Sequence, residues 1–562
     1  MKMGKRLRET VNRIMDKRVL DWISGIIGLK GKLMIAALMG ISTISSLVSV
    51  ASALVMKNFV DAILSGDRPL FWRYVVILTL VMLFGLLLGV VINVLSVRLS
   101  SSMENRFKQR LFSALLYADY GAVTEKHTGE WMNRLVSDTS AVSSATVSIM
   151  PDLLGLFVRL FGAVVMLLYL QKAFLYVLIP GGFLVLGVTV GFRRTLKELY
   201  RKIREADGRL RVFLTERLSA LMILRAYGQE EQSQRMAADY MDAHRAAILQ
   251  RNRFSVFCRV GYSGAMTGVY LLGLVICALQ IMAGKMTYGS LTAVMQLVRQ
   301  VQSPFAGLSG YMSRYFAMLA SAERLMEVED YAKDFEETAV SLEGAKSYYQ
   351  KDFTHLSLRD VDFTYPGENE PIVLEHLNVT VHRGNYIAFT GPSGCGKSTA
   401  LRLLLCLHHP EHGEMLLCGR DGERPLTAAW RTLFAYVPQG NALLSGTIRE
   451  AIAFGEEADE ERLWDALRIA CAEDFVREAG LDAMLRERGS GLSEGQLQRL
   501  SIARAIYSQR PILLLDEATS SLDGATEVQL LKNLRAMTDR TVIIVTHRPA
   551  VLDYVDEEVR FG

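Results

Sequence analysis

Apolar and polar positions divide this chain near residue 320. Before that point lie runs of largely uncharged apolar residues at about 33–56, 73–97, 150–170, 173–192, 256–283 and 289–312. Each is long enough to cross the hydrocarbon core of a bilayer as a helix. After it the apolar runs are short and interrupted, as in Leu356-Ser-Leu-Arg-Asp-Val-Asp-Phe363, the pattern of an α/β domain. The expected fold is therefore an α-helical transmembrane domain with six spans over 33–320, then an α/β domain over 353–562. Little more than Gln171-Lys172 separates spans three and four, and Pro180-Gly181-Gly182 predicts a kink in the fourth. Segments 98–149 and 193–253 are far longer than turns and read as helices continuing out of the membrane. Gly121 and Gly129 are the expected breaks in the first of these, Gly228 in the second. In residues 1–32, Leu7, Val11, Ile14, Trp22, Ile23 and Ile26 recur at helical spacing among Lys2, Lys5, Arg6, Arg8, Arg13, Lys17, Arg18, Lys30 and Lys32. That predicts an amphipathic helix along the membrane surface. Residues 321–352, with Glu323, Glu327, Glu329, Asp330, Asp334, Glu336 and Glu337, show no apolar periodicity and read as a charged linker.

Composition agrees with that division: 50% of residues are hydrophobic and mean hydropathy is +0.20, high for a soluble enzyme. The net charge of +4 says little as a total; its placement says more. Lys and Arg crowd 98–149 and, more densely, 193–253, while the opposite loops offer only Arg68, Lys172 and Lys285. Basic loops stay on the cytosolic side. Both termini and the α/β domain are thus expected in the cytosol of a multi-pass protein of a plasma or inner membrane. The six cysteines, at 258, 277, 395, 406, 418 and 471, have no metal or disulfide spacing. No short apolar core with a cleavage site follows the basic N-terminus, so no removable signal is expected.

Chemistry enters at Gly391-Pro392-Ser393-Gly394-Cys395-Gly396-Lys397-Ser398-Thr399. This fits the phosphate-binding pattern G-x-x-x-x-G-K-[ST], placed between a strand-like Tyr386–Phe389 and a helical run from Ala400. Glycines let backbone N–H groups surround phosphate oxygens, and the helix start adds its dipole. Lys397 is then the ligand of the β- and γ-phosphates and Ser398 a ligand of Mg²⁺. Ile512-Leu-Leu-Leu-Asp516-Glu517 reads as a buried strand ending in two carboxylates. Asp516 suits the metal, directly or through water, and Glu517 suits a general base for the attacking water.

Between these two motifs stands Leu492-Ser493-Glu494-Gly495-Gln496, running on into Gln498-Arg499 and Ala503-Arg504. It resembles the LSGGQ signature of the ATP-binding cassette (ABC) superfamily. That resemblance assigns further residues. Tyr365, in Phe363-Thr-Tyr-Pro-Gly367, matches the aromatic that stacks on adenine. Gln439 matches the Q-loop glutamine, which contacts Mg²⁺; Ser521-Leu522-Asp523 matches the D-loop; His547 matches the histidine on the γ-phosphate. Ser493, Gly495, Gln496 and Asp523 join the nucleotide-binding set, with ATP and Mg²⁺ as cofactors and Glu517, His547 and Gln439 as the catalytic group. Glu125–Glu130 and Thr215–Glu231 are similar to the family's two coupling loops, which dock short helices on a cassette. Six spans ahead of one cassette resembles a half-size exporter of the type IV fold. Three departures stand out. Glu494 replaces a glycine, Leu485-Arg-Glu-Arg-Gly-Ser-Gly491 is a shortened version of the segment before the signature, and the chain stops soon after His547, where such exporters usually place helices.

The resemblance implies a dimer. ATP on one P-loop is closed over by the signature of the second cassette, so Ser493 and Gly495 would act on nucleotide held by the partner copy's Lys397. A homodimer is the simplest assembly and a heterodimer the alternative. ATP-driven export is the implied activity; import, or an ATP-gated channel or regulator, is the alternative on the same scaffold. Soluble cassette proteins of DNA repair and translation lack the six spans, which excludes a nucleic-acid partner. The cargo is not legible. Arg159 and Arg299 lie deep in spans three and six, beside a stripe of Gln296, Gln300, Ser303 and Gly307. Arginine at such depth seldom faces lipid, so the pair either bonds to backbone carbonyls or lines a path that attracts an anionic cargo.

Overall fold

The computed structural model describes residues 17–170, 172, 175–334, 339–365, 371–440, 443–485 and 491–562. Two compact units form. One holds the chain up to Arg110 and Asn133–Met326; the other holds Leu111–Met132 and Glu327–Gly562.

In the first unit the predicted spans lie within α1 (Lys17–Ser65), α2 (Arg68 to Tyr117), α5 (Thr139–Leu170), α6 (Leu175–Ser219), α8 (Glu230–Met282) and α9 (Tyr288 to Glu329). At 1.5 Å per residue the longest of these reach about 75–80 Å, more than twice the thickness of a hydrocarbon core. The surplus is the predicted extension beyond the membrane. Among the described residues α1, α2, the helical run ending in α5, and α8 are long and apolar enough to cross a bilayer. Helical hydrogen bonding continues through Pro180-Gly181-Gly182. Close helix contact is made by small residues, as expected where lipid removes the hydrophobic drive for association. A Cβ on Gly155 would lie 2.4 Å from Ser42 Oγ, and one on Gly162 3.3 Å from Val50, which holds α5 tightly to α1. On α9, Gln296 Nε2 donates to Ser52 Oγ (2.9 Å) and Gln300 Nε2 to Ser49 O (2.8 Å). The glutamines of the predicted polar stripe therefore tie α9 to α1, while the side chains of Ser303 and Gly307 lie outside what is described.

Three expectations need correction. Of the amphipathic segment, residues 1–16 lie outside the described residues, and the rest is helix interrupted by a kink at Gly28 (φ 66°, ψ 174°). Its stripe of Val19, Ile23 and Ile27 is buried by protein, with Trp22 against Phe107 and Arg106 Nη1 donating to Ile27 O (3.0 Å). Gly121 and Gly129 do not break the helix: they sit inside α3 (Tyr120–Thr124) and α4 (Thr128–Asn133). The breaks fall just before these helices, at Ala118-Asp119, where the Asp119 carboxylate caps α3 through Ala122 N (2.9 Å), and at Glu125–His127. Gly228, at φ 60°, does end the turn after α7 (Leu221–Ala226). Finally, 321–352 is largely helix. α9 runs on to Glu329 with Ala322, Leu325 and Val328 buried, and α10 (Leu342–Lys351) buries Ala345, Tyr348 and Tyr349. Glu336 and Glu337 lie outside the described residues.

The second unit is layered around two sheets. An antiparallel sheet has the order β2 (Ile372–His382), β1 (Phe353–Thr364), β4 (His412–Gly419), β5 (Gly422–Pro425). A parallel sheet has the order β9 (Glu557–Arg560), β3 (Tyr386–Thr390), β8 (Thr541–Val545), β7 (Ile512–Asp516), β6 (Phe434–Val437). Every residue of β7 and β8 is buried, as parallel strands covered on both faces must be. Helix α11 (Lys397–Leu404) follows β3. Helices α12 (Ile448–Ala453), α13 (Glu460–Ile469) and α14 (Glu473–Ala479) form a separate helical layer with α15 (Glu494–Tyr507), and α16 (Gly524–Arg535) follows β7. Leu111–Met132 belongs to this unit. Asp119 N donates to Ala332 O (2.8 Å), Asp334 N to Tyr117 O (2.9 Å), and Tyr120 stands edge-on to His408 at 5.8 Å. The segment that precedes the expected first coupling motif is thus packed within the second unit.

Candidate nucleotide site

The parallel sheet sets its functional residues at strand ends, where α/β proteins bind ligands. From β3 the chain enters the phosphate loop, with positive φ at Gly391 (139°), Gly394 (86°) and Gly396 (93°). Two of these glycines are also demanded by close approach. A Cβ at Gly391 would meet Phe561 O at 2.3 Å, and one at Gly396 would meet Leu374 at 2.4 Å. Pro392, Ser393 and Gly394 are exposed at the rim, while Lys397 is only 5% exposed. Its Nζ donates to Gly391 O (3.0 Å) and Pro392 O (2.6 Å) and lies 3.6 Å from Cys395 Sγ.

Strand β7 delivers Asp516 beside the loop. Ser398 Oγ donates to Asp516 Oδ1 (2.8 Å) and Tyr436 OH to Oδ2 (3.2 Å). Burial raises the Asp516 carboxyl above its ordinary range despite the opposing pull of those two bonds; a bound cation would favour its charged form. Glu517 follows at φ 50°, a left-handed conformation that costs a non-glycine residue energy and is kept where function needs it. Its carboxylate lies between Gln439 Nε2 (2.9 Å) and His547 Nε2 (3.2 Å). Five residues distant in sequence thus converge around the loop: Ser398, Gln439, Asp516, Glu517 and His547. The oxygen donors Ser398 and Asp516 suit a hard cation such as Mg²⁺. With Gln439 Nε2 spent on Glu517, its carbonyl oxygen is the atom left for the metal.

Other predicted residues are placed differently. Tyr365 bonds Thr399 Oγ1 through its hydroxyl (3.0 Å), accepts from Arg402 Nη1 (3.0 Å), and sets its ring at right angles to Phe363 and His408. Ser493 is the exposed N-cap of α15 in a capping box with Gln496: Ser493 Oγ accepts from Gln496 N (3.2 Å), and Gln496 Oε1 accepts from Ser493 N (2.8 Å). Glu494 falls in the first turn of that helix, where the dipole favours a negative charge, so replacing glycine there is no strain. Gly495 is required by the D-loop, since a Cβ would lie 2.8 Å from Ser521 O. Asp523 caps α16, accepting from Thr526 N (3.0 Å) and Thr526 Oγ1 (2.7 Å). Those bonds hold its carboxyl below the usual range. The side chains of Gln496 and Asp523 therefore serve their own helices here.

Sequence reasoning missed Tyr436, Gln498 and Arg548, each bonded to this group by a long-range contact that local pattern does not announce. Residues 486–490, within the shortened segment before the signature, lie outside the described residues.

Comparison with known proteins agrees with the geometry. Residues 35–305 match the family model of the ABC transporter transmembrane region, and 374–520 that described as ABC transporter. The chain is 28% identical over 453 residues to ABC transporter B family member 1 of Dictyostelium discoideum, covering 79% of this chain and 48% of that protein. It is 29% identical over 533 residues to the mitochondrial ATP-binding cassette sub-family B member 10 of Mus musculus, covering 92% and 73%. The chain thus spans about half the length of the Dictyostelium relative. Its fold matches a bacterial Atm1-family ABC exporter solved with ATP bound, at a TM-score of 0.75 and 22% identity over 94% of this chain and 93% of that one. With a helical membrane unit and a P-loop cassette whose two carboxylates, glutamine and histidine converge, the chain belongs to the ABC transporter family.

Proposed function

We propose that this protein is an ATP-driven membrane transporter that exports its cargo from the cytosol, working as a dimer, a homodimer in the simplest case. The observation that carries the reading is the convergence of Ser398, Asp516, Gln439, Glu517 and His547 around the phosphate loop of a chain whose other half is a membrane unit. Lys397 and the loop amides bind the ATP phosphates, and Tyr365 turns to stack on the base. Ser398, Asp516 and the Gln439 carbonyl would hold Mg²⁺, which would supply charge neutralisation at the phosphate oxygens. Glu517 takes a proton from the attacking water, oriented by its bond to His547. The exposed Ser493 and the Gly495 backbone close over the nucleotide of the partner copy. The packing of Leu111–Met132 within the cassette unit supports transmission through the first coupling loop, with both termini and the cassette in the cytosol.

An anionic cargo is favoured by one further observation. On α5, Pro151, Gly155, Ala163 and Leu167 form a buried stripe at four-residue spacing, and Arg159 stands on it. Its Nε is buried and meets no hydrogen-bond acceptor among the described residues. Arg299 is exposed, with its guanidinium 5.6 Å from the Tyr270 ring. The test is ATPase and flux in reconstituted vesicles across a panel of anionic, neutral and cationic compounds. Stimulated ATPase with outward flux from the cassette side is expected. Arg159→Ala and Arg299→Ala should lose stimulation by anions and keep basal turnover. Stimulation by cations alone would remove the anionic reading, and ATPase without flux would remove the pump.

A further inference from the structure

Residue 548 follows the site histidine and carries an arginine whose bonds reach back to a different loop. The segment Glu517–Leu522 is a tight turn: Ser520 N donates to Glu517 O and Leu522 N to Thr519 O, both at 3.1 Å. At its start, Glu517 N donates to Val545 O (3.1 Å), on the strand leading to His547. At its end, Arg548 Nη2 donates to Ser520 O (2.7 Å) and Nη1 to Leu522 O (2.9 Å). Nη1 also donates to Glu527 Oε2 (2.8 Å), a carboxylate only 2% exposed on α16. The turn is held from the other side by the signature helix. Gln498 Oε1 accepts from Ser521 N and Gln498 Nε2 donates to Ser520 Oγ, each at 3.0 Å.

We propose that Arg548 is a positioning residue for ATP hydrolysis, clamping the turn that carries Glu517 to the loop that carries His547. The proposal rests on Glu517 and His547 acting as base and orienter. Glu517 sits at positive φ, a conformation that persists only when its surroundings over-determine it. Backbone bonds fix the turn at its first residue, and the two arginine bonds fix it at the fourth and sixth. Without them only the Gln498 bonds hold the turn beyond Glu517, its far end is no longer tied to the histidine loop, and the 3.2 Å approach to His547 is set less firmly. A planar guanidinium presents its donors on separate nitrogens in a fixed fork, so it spans the two carbonyls in a way that an ammonium, whose three donors radiate from one atom, does not. The same clamp ties the D-loop and signature helix to the histidine loop, so a shift of His547 on the γ-phosphate is passed to the residues that face the second copy.

The test separates positioning from folding. Arg548→Lys keeps a cation for Glu527 but cannot span both carbonyls. Arg548→Met with Glu527→Gln removes the clamp without leaving a buried charge unpaired, the loss that most endangers folding. Glu527→Gln alone leaves the carbonyl bonds in place. The full chain in lipid vesicles is assayed for ATPase, and ATP affinity is read with a fluorescent nucleotide. Both clamp variants should lose kcat by about tenfold to a hundredfold, the scale of a small misplacement of a catalytic group. ATP affinity should stay within about threefold, because the phosphate loop is untouched. Glu527→Gln alone should keep most of the turnover. Wild-type kcat in Arg548→Lys, or its return in the double variant, would overturn the proposal, since Arg548 would then be only a counter-ion. Glu517→Gln is the control on the underlying reading: turnover surviving in it removes Glu517 as the base, and the clamp's purpose with it.

Discussion

Cys395 lies inside the phosphate loop with its Sγ 3.6 Å from Lys397 Nζ and is partly exposed. A partly exposed thiol inside the phosphate loop is open to reagent, and its alkylation would block the phosphates. The other cysteines of the cassette are placed otherwise. Burial pushes the Cys406 thiol up to about 12 and raises those of Cys418 and Cys471. Maleimide is therefore expected to abolish most ATPase activity, with MgATP protecting and Cys395→Ala resistant; equal inhibition of that variant would show another thiol is responsible. The P-loop, Asp516 and Glu517 were legible because their spacing is dictated by phosphate and metal chemistry over a few adjacent residues. The partners of Glu517, in contrast, come from Gln439 and His547, 78 and 30 positions away in the chain. Motif resemblance named both, but only the fold shows that they touch the same carboxylate.

Helix α3 of the first coupling loop meets the cassette at His408, which is 8% exposed among Tyr120, Phe363 and Tyr365. Burial first, then nearby Arg402, lowers the His408 pKa below its ordinary value, against an opposing pull from Asp119. Below about pH 6.5 the unfolded chain binds a proton that folded His408 resists. Stability contributed by this group is present above that pH and is lost on acidification through the folded pKa. The thermal unfolding midpoint should fall from pH 7.5 to 5.5, and less steeply in His408→Phe; identical slopes would show His408 is not a source. At the same scale, the π-helical turn Arg134–Asp138 had no signal in the sequence. Asp138 is buried and accepts from Arg324 Nε (2.9 Å), Arg324 Nη2 (2.6 Å) and Ser321 Oγ (2.9 Å). A buried carboxylate needs such partners, and here they arrive from α9, more than 180 residues later.

For the assembly, the proposed dimer closes each site with Lys397 from one copy and Ser493 from the other. Lys397→Ala and Ser493→Arg should each abolish ATPase when expressed alone. Co-expressed, they form mixed dimers in which one site carries both defects and the other neither, so measurable ATPase should return. Permanent silence of the mixture, with mixed dimers shown by differential tags, would argue against composite sites.

The sequence by itself determined the two-part architecture, because membrane crossing demands long apolar runs and phosphate binding demands a fixed local spacing. It also determined most of the nucleotide site, including the order P-loop, signature, carboxylate pair. Tertiary structure decided what depends on packing between distant residues. Ala322, Leu325 and Val328 turn a charged stretch into helix by burying one face. Gln296 and Gln300 face a neighbouring helix instead of lining a stripe. Arg548 reaches two carbonyls on another loop. In each case the deciding energy is a hydrogen bond or a buried face whose partner lies far along the chain, and local pattern carries no record of it.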